Sequence, residues 1–144
     1  MILQIPMQRS GPEVEPPARA HETDAAYDLR AAHSEGIVPG GRVLVGTGIA
    51  VAIPEGYCGL ILPRSGLAIK HGVTVLNAPG LIDSGFRGEI QVALVNLGHE
   101  MFVAHRNTRI AQLVIVKCEV ASFHTAVSLV ETDRGSNGFG STGS

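Results

Sequence analysis

The chain has 144 residues, of which 44% are hydrophobic and 17% charged, and this composition predicts a single compact domain. Its 11 Lys and Arg against 13 Asp and Glu give a formal net charge of -2, which excludes the broad basic field that holds polymeric nucleic acid. Aromatic residues make up only 4% of the chain, whereas Gly and Pro number 18 and 8, so we expect an aliphatic core with many turns.

The amino-terminal residues carry no cationic leader and no long apolar segment, and no later segment reaches membrane-spanning length. Cys58 and Cys118 each lie in an apolar run, which favours buried thiols over a disulfide or a metal site. These features are typical of a soluble protein in the reducing cytoplasm, and we expect no membrane partner.

Short strand-like segments with turn residues between them occupy most of the chain. The one convincing helix covers residues 65–72, with Ser65 as its predicted cap and Gly72 as its stop. The pattern predicts an all-β fold over residues 1–127, a jelly-roll-like barrel, followed by a flexible glycine-rich arm over residues 128–144. Strands are predicted at residues 2–5, 25–32, 43–45, 49–53, 57–62, 73–76, 89–96, 101–105, 108–117 and 120–127, with a loop at 36–41 and a hairpin turn at Arg106-Asn107.

A second hairpin is predicted over residues 77–90. Two turns, the later one at Ser84-Gly85, flank a short apolar arm, and Phe86 restarts the return strand. Such a hairpin would place the Asp83 carboxylate beside the Phe86 ring, where a flat ligand can lie over a base. Taken alone, an Asp before Ser-Gly is more often ordinary turn chemistry.

Two other stretches carry groups that suit phosphate. Arg64, Ser65 and Gly66 place a guanidinium, a hydroxyl and backbone amides at the start of the helical turn, where an anion is stabilised. A capped surface turn is the alternative. Residues 138–143 have the pattern G-x-G-x-x-G, but a dinucleotide site is excluded because no strand leads into it and no helix can follow it. Composition alone favours disorder for this tail, although Phe139 stands between glycines.

Five polar or glycine-rich stretches, taken in order, resemble the five motifs of the trimeric dUTP pyrophosphatase (dUTPase) family. They are residues 25–32, 63–68, 80–90, 109–113 and 134–143. The resemblance covers nearly the whole chain and looks closest to bacterial members. It implies hydrolysis of dUTP to dUMP and pyrophosphate, which limits uracil incorporation into DNA and supplies dUMP for dTMP synthesis.

The resemblance also implies roles for individual residues. Asp83 would be the general base for the attacking water, and Asp28 and Gln112 would orient waters around a Mg²⁺ ion carried in by the triphosphate. The implied phosphate-binding residues are Arg64, Ser65, Gly66, Arg134, Gly140, Ser141 and Thr142. The implied nucleoside-binding residues are Asn77, Leu81, Ile82, Phe86, Gln91 and Phe139, with Phe139 stacking on the base when the arm closes.

Without the resemblance, several positions have plainer interpretations. Asp28 and Gln112 fit outward polar positions on strands. The six histidines are scattered without zinc-like spacing and are interpreted as structural or solvated. Lys70, Arg87 and Arg109 are assigned to surface or subunit contacts.

The family usually has Tyr at the position of Phe86. A phenyl face still packs against deoxyribose and leaves no space for a 2′-hydroxyl, so sugar selection should survive the loss of the phenol. The resemblance further implies a homotrimer in which the hairpin, the Arg64 turn and the tail of one site come from different chains. The tail is too poor in apolar residues to fold alone, which agrees with this arrangement.

Two alternatives stay open from the sequence. A dCTP deaminase, or a bifunctional deaminase that also hydrolyses the triphosphate, has a related fold, but it needs an acid or base beside C4 of the base, and the hairpin arm carries no second carboxylate. The other alternative is a non-catalytic, nucleotide-binding β-barrel trimer, for which Asp83 would be dispensable.

Overall fold

The computed structural model describes residues 2–11 and 13–138. Over these residues the chain forms eleven strands and one short helix, which confirms the predicted all-β, jelly-roll-like class. No helix in this part of the chain has both the length and the apolar character needed to cross a membrane. The elements are β1 (Met7–Arg9), β2 (Tyr27–Arg30), β3 (Glu35–Ile37), β4 (Arg42–Gly46), β5 (Ile49–Val51), β6 (Tyr57–Leu62), α1 (Ser65–His71), β7 (Val73–Val75), β8 (Gly80–Ile82), β9 (Gln91–Asn96), β10 (Phe102–Ala104) and β11 (Arg109–Lys117).

Four antiparallel strands in the order β2-β11-β6-β8 form the sheet that positions most of the candidate site. A second sheet has the order β4-β9-β7, and the pairs β1-β5 and β10-β3 form separately. On β11, Ala111 and Leu113 are buried whereas Gln112 and Val114 are partly exposed. This period of two divides the four-stranded sheet into an inner face toward the core and an outer face.

The core is aliphatic, as the composition predicts. Burial of each large aliphatic side chain stabilises the fold by about 1.5–3 kcal/mol relative to its exposure, so the interior of this small barrel can be built almost without rings. The largest fully buried hydrophobic side chains are Leu29, Ile37, Ile49, Ile53, Ile90, Leu94 and Ile110, together with Val45, Val73 and Val92.

Both predicted hairpins are wrong in their pairing. In the first, β8 and β9 were expected to pair with each other, but β8 pairs with β6 and β9 pairs with β4 and β7. In the second, β10 and β11 were expected to pair, but β10 pairs with β3 and β11 pairs with β2 and β6. The turns themselves form, because the Phe86 N–H donates to the Asp83 C=O at 3.1 Å and the Thr108 N–H donates to the His105 C=O at 2.9 Å. In a jelly roll the chain changes sheets at such turns, so consecutive strands need not become neighbours.

The predicted strands at the two ends of the chain are also wrong. The amino-terminal strand is β1, beyond Pro6, rather than residues 2–5. Residues 120–127 lie outside every sheet in the described part of the chain, and Val120 and Phe123 are both 97% exposed. They have the apolar content of a strand but pair with no sheet edge of their own chain. β3 is missing from the prediction because Gly36 makes its sequence look like a loop.

Candidate active site

One row of residues across the outer face brings together the two predicted magnesium-orienting positions. Gln112 on β11 lies opposite Asp28 on β2 and, on its other side, opposite Leu62 on β6. The Gln112 Nε2 donates to the Pro63 C=O at 2.9 Å, so its Oε1 is the acceptor end of the amide. Asp28 and Gln112, far apart in sequence, are therefore adjacent oxygen donors.

Asp28 also lies between two arginines. The Arg64 Nε is 3.5 Å from the Asp28 Oδ1, and the Arg109 Nη1 is 3.2 Å from the Asp28 Oδ2. The Arg64 Nη1 donates to the Arg109 C=O at 2.9 Å, which fixes the two arginines relative to each other. The two guanidiniums outnumber the one carboxylate that they contact, at a partly buried position where water screens charge less than at the open surface, and the acidic residue Asp24 also lines this region. Such a cluster suits a phosphate.

The start of α1 adds neutral donors next to this cluster. Ser65 and Gly66 are exposed in the first helical turn, and within the described residues no atom beyond the adjacent residues and the helix backbone lies within 4 Å of the place where a Gly66 Cβ would stand. The prediction that Ser65 caps the helix is wrong, because Arg64 is the N-cap residue and makes no side-chain cap bond. Gly72 ends the helix in the left-handed conformation, with φ 67°, as predicted.

These groups line one pocket of about 460 Å³, which we call the polar pocket. Its chemistry matches the predicted phosphate and metal site, and its volume is within the range of small-molecule sites. The residues that line it include Asp28, Arg64, Ser65, Gly66, Arg109 and Gln112.

Arg109 is the residue of this pocket that sequence reasoning missed. The sequence assigned Arg109 only to a surface or subunit contact. Strict alternation along β11 would place Arg109 on the inner face with Ala111 and Leu113, away from Gln112. The structure has a β-bulge instead, because Arg109 pairs with Arg30 and Ala111 with the adjacent Leu29. The extra residue in β11 re-aims the Arg109 side chain toward Asp28. A break in the alternation just after Arg109 is the only sequence signal for this bulge.

Four of the predicted nucleoside-binding residues lie on or near β8: Asn77, Leu81, Ile82 and Phe86. This strand is at the edge of its sheet, so one side of its backbone is paired with β6 and the other is turned away from the sheet. Asn77 is exposed. It lies beside β8, because its Nδ2 is 3.5 Å from the position that a Cβ on Gly80 would occupy. Leu81 is 60% exposed, whereas Ile82 is only 8% exposed and packs into the core. Ile82 can therefore contact a nucleoside only through its main chain.

The turn after β8 carries Asp83 and Phe86. Asp83 is exposed at the end of the strand, and Phe86 is 41% exposed. The Phe86 ring lies against Gly88, because a Cβ added to Gly88 would stand only 2.7 Å from the Phe86 Cζ. The Arg87 Nη1 donates to the Ser84 and Phe86 C=O groups at 2.6 and 2.8 Å. Arg87, which the sequence assigned to surface contacts, thus braces the turn that holds the carboxylate.

Asp83 lies far from the polar pocket of its own chain. Gly59 pairs with Ile82, and the continuation of this register places Asp83 beside Cys58. Leu62, at the polar pocket, is four residues farther along the same strand, which corresponds to about 13 Å. The candidate base and the phosphate pocket therefore occupy opposite ends of the outer face.

Two of the remaining predicted residues, Gln91 and Arg134, lie away from both ends. Gln91 begins β9 in the other sheet, opposite Gly46. Arg134 lies in an exposed local turn, where its Nε donates to the Asn137 C=O at 3.1 Å. Phe139, Gly140, Ser141 and Thr142 lie outside the described residues.

The model of the dUTPase family matches residues 13–143 of this chain. The deoxyuridine 5′-triphosphate nucleotidohydrolase of Corynebacterium diphtheriae is 50% identical over 140 residues, which are 96% of this chain and 92% of that protein. The protein of the same name from Rhodococcus erythropolis is 48% identical over 142 residues, which are 98% of this chain and 87% of that protein.

Solved structures agree with these sequence relatives. A variant of the dUTPase of Staphylococcus bacteriophage 80alpha with dUpNHpp has a TM-score of 0.90 and 26% identity, and the match covers 98% of this chain and 99% of the phage chain. Another variant of the same phage enzyme, also with dUpNHpp, has a TM-score of 0.89 and 28% identity over 98% and 99% of the two chains.

Proposed function

This chain belongs to the dUTPase family and is a dUTP nucleotidohydrolase, and on that premise we propose which residues bind dUTP and which assist its hydrolysis to dUMP and pyrophosphate. The family match over residues 13–143 carries the assignment of the reaction. The test is pyrophosphate release with Mg²⁺ and each nucleoside triphosphate separately, and we expect turnover of dUTP only. Release of ammonia from dCTP would instead favour the deaminase alternative.

Asp83 is the general base in this proposal. Hydrolysis requires a water aligned with the α-phosphorus and a group that takes its proton. Asp83 suits this role because it is an exposed carboxylate on a turn held by main-chain and Arg87 hydrogen bonds. These hydrogen bonds fix the backbone of the turn before substrate arrives, which lowers the cost of reaching the reactive geometry.

The polar pocket binds the triphosphate. Arg64 and Arg109 supply positive charge that stabilises the negative charge developing on the leaving pyrophosphate, while Ser65 and the backbone at Gly66 donate hydrogen bonds to phosphate oxygens. We propose that residues 128–144 close over the bound nucleotide. Closure would bring Arg134, Gly140, Ser141 and Thr142 to the phosphates and stack Phe139 on the base.

The donor set at Asp28 and Gln112 fits a magnesium ion. One carboxylate and one amide oxygen lie side by side at the polar pocket, and Mg²⁺ favours such hard oxygen ligands while it keeps several waters. When bound with the triphosphate, the ion would neutralise phosphate charge. Asp28 and Gln112 would orient its waters, and the two arginines hold Asp28 in position for this.

Uracil recognition is proposed to fall on the free edge of β8. Main-chain groups near Leu81 and Ile82, together with the Asn77 amide, can pair with the polar edge of the base, because a strand edge presents alternating donors and acceptors. Leu81 is exposed enough to contact the ring. Gln91 is placed near the substrate on family likeness alone.

We expect the Phe86 ring to select the sugar. Phe86→Ala should open space for a 2′-hydroxyl and lower the preference for dUTP over UTP by about 10- to 100-fold, which is the range of discrimination that a packed apolar wall provides. The measurement is kcat/KM for both nucleotides. Phe86→Tyr is the matched control and should keep the parent preference, and an unchanged preference in Phe86→Ala would exclude this role.

Arg109 should contribute to dUTP binding although the sequence suggested otherwise. Arg109→Gln removes one of the two charges that flank Asp28, and we expect KM for dUTP to rise about 10- to 100-fold, since a charge-assisted contact contributes about 1.5–3 kcal/mol. Arg42→Gln, an exposed arginine at the start of β4, is the control. Equal KM values for the two variants would show that Arg109 does not contribute to dUTP binding and makes only a surface contact.

The proposed active form is a homotrimer with shared sites. Two features of the single chain support this. Asp83 and the polar pocket lie about 13 Å apart along β6, too far to act on one phosphate chain within a subunit. The segment after β11 also exposes Phe123, Val127 and Leu129, and such apolar side chains are expected to be covered by another surface. A cytoplasmic location remains a prediction.

A further inference from the structure

The two cysteines of the chain meet on the outer face of the four-stranded sheet. Cys58 on β6 lies opposite Val116 on β11, and Cys118 is two residues beyond Val116, so both side chains point to the same face. The Cys118 N–H donates to the Gly56 C=O at 2.8 Å, which continues the pairing of β6 and β11 past the end of β11. The thiols are therefore diagonal cross-strand neighbours.

These two thiols differ in their surroundings. Cys58 is 7% exposed, as the sequence predicted, whereas Cys118 is exposed, which corrects the prediction of two buried thiols. The hydrogen bond that the Cys58 thiol donates to Cys118, burial, and the nearby negative charges of Cys118 and Asp83 raise the pKa of Cys58 to about 11. A buried, protonated thiol thus lies between the candidate base on one neighbouring strand and an accessible thiol on the other.

We propose that Cys58 and Cys118 form a reversible thiol–disulfide site that accepts low-molecular-weight disulfides, and that its closure lowers dUTP hydrolysis. The Cys118 thiolate attacks the reagent disulfide, forms a mixed disulfide and releases one thiol. The Cys58 thiolate then attacks the Cys118 Sγ and releases the second thiol. The two cysteines are oxidised to one disulfide while the reagent is reduced to two thiols.

The position of the pair makes the bond possible and reducible. Diagonal cross-strand residues are about 7–8 Å apart, slightly beyond the distance that a relaxed disulfide spans. Cys118 can supply the small movement because it follows the last residue of β11, and residues 120–127 after it lie outside every sheet in the described part. A disulfide that needs such movement is strained, and strained disulfides are reduced easily.

Closure should affect the active site from two sides, an expectation that rests on the proposed function. Cys58 lies beside Asp83, so a shift of β6 is transmitted to the candidate base. Cys118 is also the point from which the chain leaves toward Arg134 and the arm. A displacement of about 1 Å at either place is enough for roughly a tenfold loss in kcat/KM.

The second step should depend on pH because Cys58 must lose its proton to attack. In the mixed disulfide Cys118, just past the end of β11, carries no charge, so burial and the Asp83 carboxylate beyond β8 are the causes that still raise the pKa of Cys58. The thiolate fraction of Cys58 therefore increases as pH rises, and ring closure should accelerate with it. Mixed disulfide at Cys118 should accumulate at lower pH.

The experiment treats the full chain with oxidised glutathione. Free thiols are titrated, the intact mass is measured, and dUTP hydrolysis is followed before and after dithiothreitol. We expect the loss of both thiols, a mass lower by two hydrogens, about tenfold lower kcat/KM, and recovery on reduction. Cys118→Ser should have parent activity and no response to the reagent, and Cys58→Ser should stop at the mixed disulfide.

Three results would overturn the proposal. They are a mixed disulfide at Cys118 that never closes in the parent, a disulfide between two copies of the chain, and closure without a change in kcat/KM. Inactivity of the reduced parent protein would contradict the proposed function instead, and the thiol titration and mass would still report on the disulfide.

Discussion

Replacing Asp83 with Asn should lower kcat for dUTP by at least about 100-fold, because a positioned general base contributes on the order of 10²- to 10⁴-fold to a proton transfer. The amide keeps the size and the turn position of the carboxylate but cannot accept the proton of the attacking water. Binding of dUTP should change little, since the proposed phosphate contacts lie in the polar pocket. Pyrophosphate release and equilibrium binding of a non-hydrolysable dUTP analogue are the two measurements.

Glu55→Gln is the matched control for this variant, because Glu55 is an exposed carboxylate in the turn before β6. It should have the activity of the parent protein. Thermal unfolding of both variants separates a chemical effect from a loss of structure. If Asp83→Asn hydrolysed dUTP at the parent rate, Asp83 would lose its assigned role as the general base.

Mixing two inactive variants should restore activity if the site is shared between chains. Arg64→Ala lacks the phosphate-binding arginine and Asp83→Asn lacks the base, and each alone should be nearly inactive. When the two chains are co-expressed in equal amounts and assemble at random, about one site in four receives both intact residues from different chains. The expected result is about a quarter of the parent activity in the mixed oligomer.

The controls for this experiment decide what a negative result means. The variants are also purified separately and mixed without subunit exchange, which should leave them inactive. A chain that carries both substitutions should give no activity in any mixture with itself. Absence of recovery in co-assembled oligomers would place Asp83 and Arg64 of one site in the same chain and would remove the main argument for shared sites.

Local patterns predicted strands and turns better than they predicted strand partners. The bounds of β6 agree with the prediction, because alternation and a following turn fix them locally. The partners of β8 and β10 do not, because pairing in a jelly roll depends on which sheet the chain enters after each turn. Residues 120–127 show the same limit, since apolar content marks a segment that needs a neighbour without saying which chain supplies it.

Part of the candidate site was predictable, because the family motifs identify residues by their type and their order along the chain. Asp28 and Gln112, to which the family motifs pointed, lie opposite each other on β2 and β11, although the pairing of these two strands was not predicted. Arg109 was not predictable, because a bulge changes the face of the sheet on which its side chain lies. The contact between Cys58 and Cys118 was equally hidden, since it requires the register of β6 against β11.

The open backbone edge of β8 also bears on how this protein can change its substrate or escape an inhibitor. A side chain that recognises the nucleobase can be replaced by a single mutation, whereas the peptide groups of the backbone are the same for nearly every residue type. A compound that mimics the pairing edge of uracil would therefore contact features that single mutations rarely remove. Resistance would have to arise through mutations that distort β8 itself, and those mutations would also lower the affinity of the protein for its natural substrate.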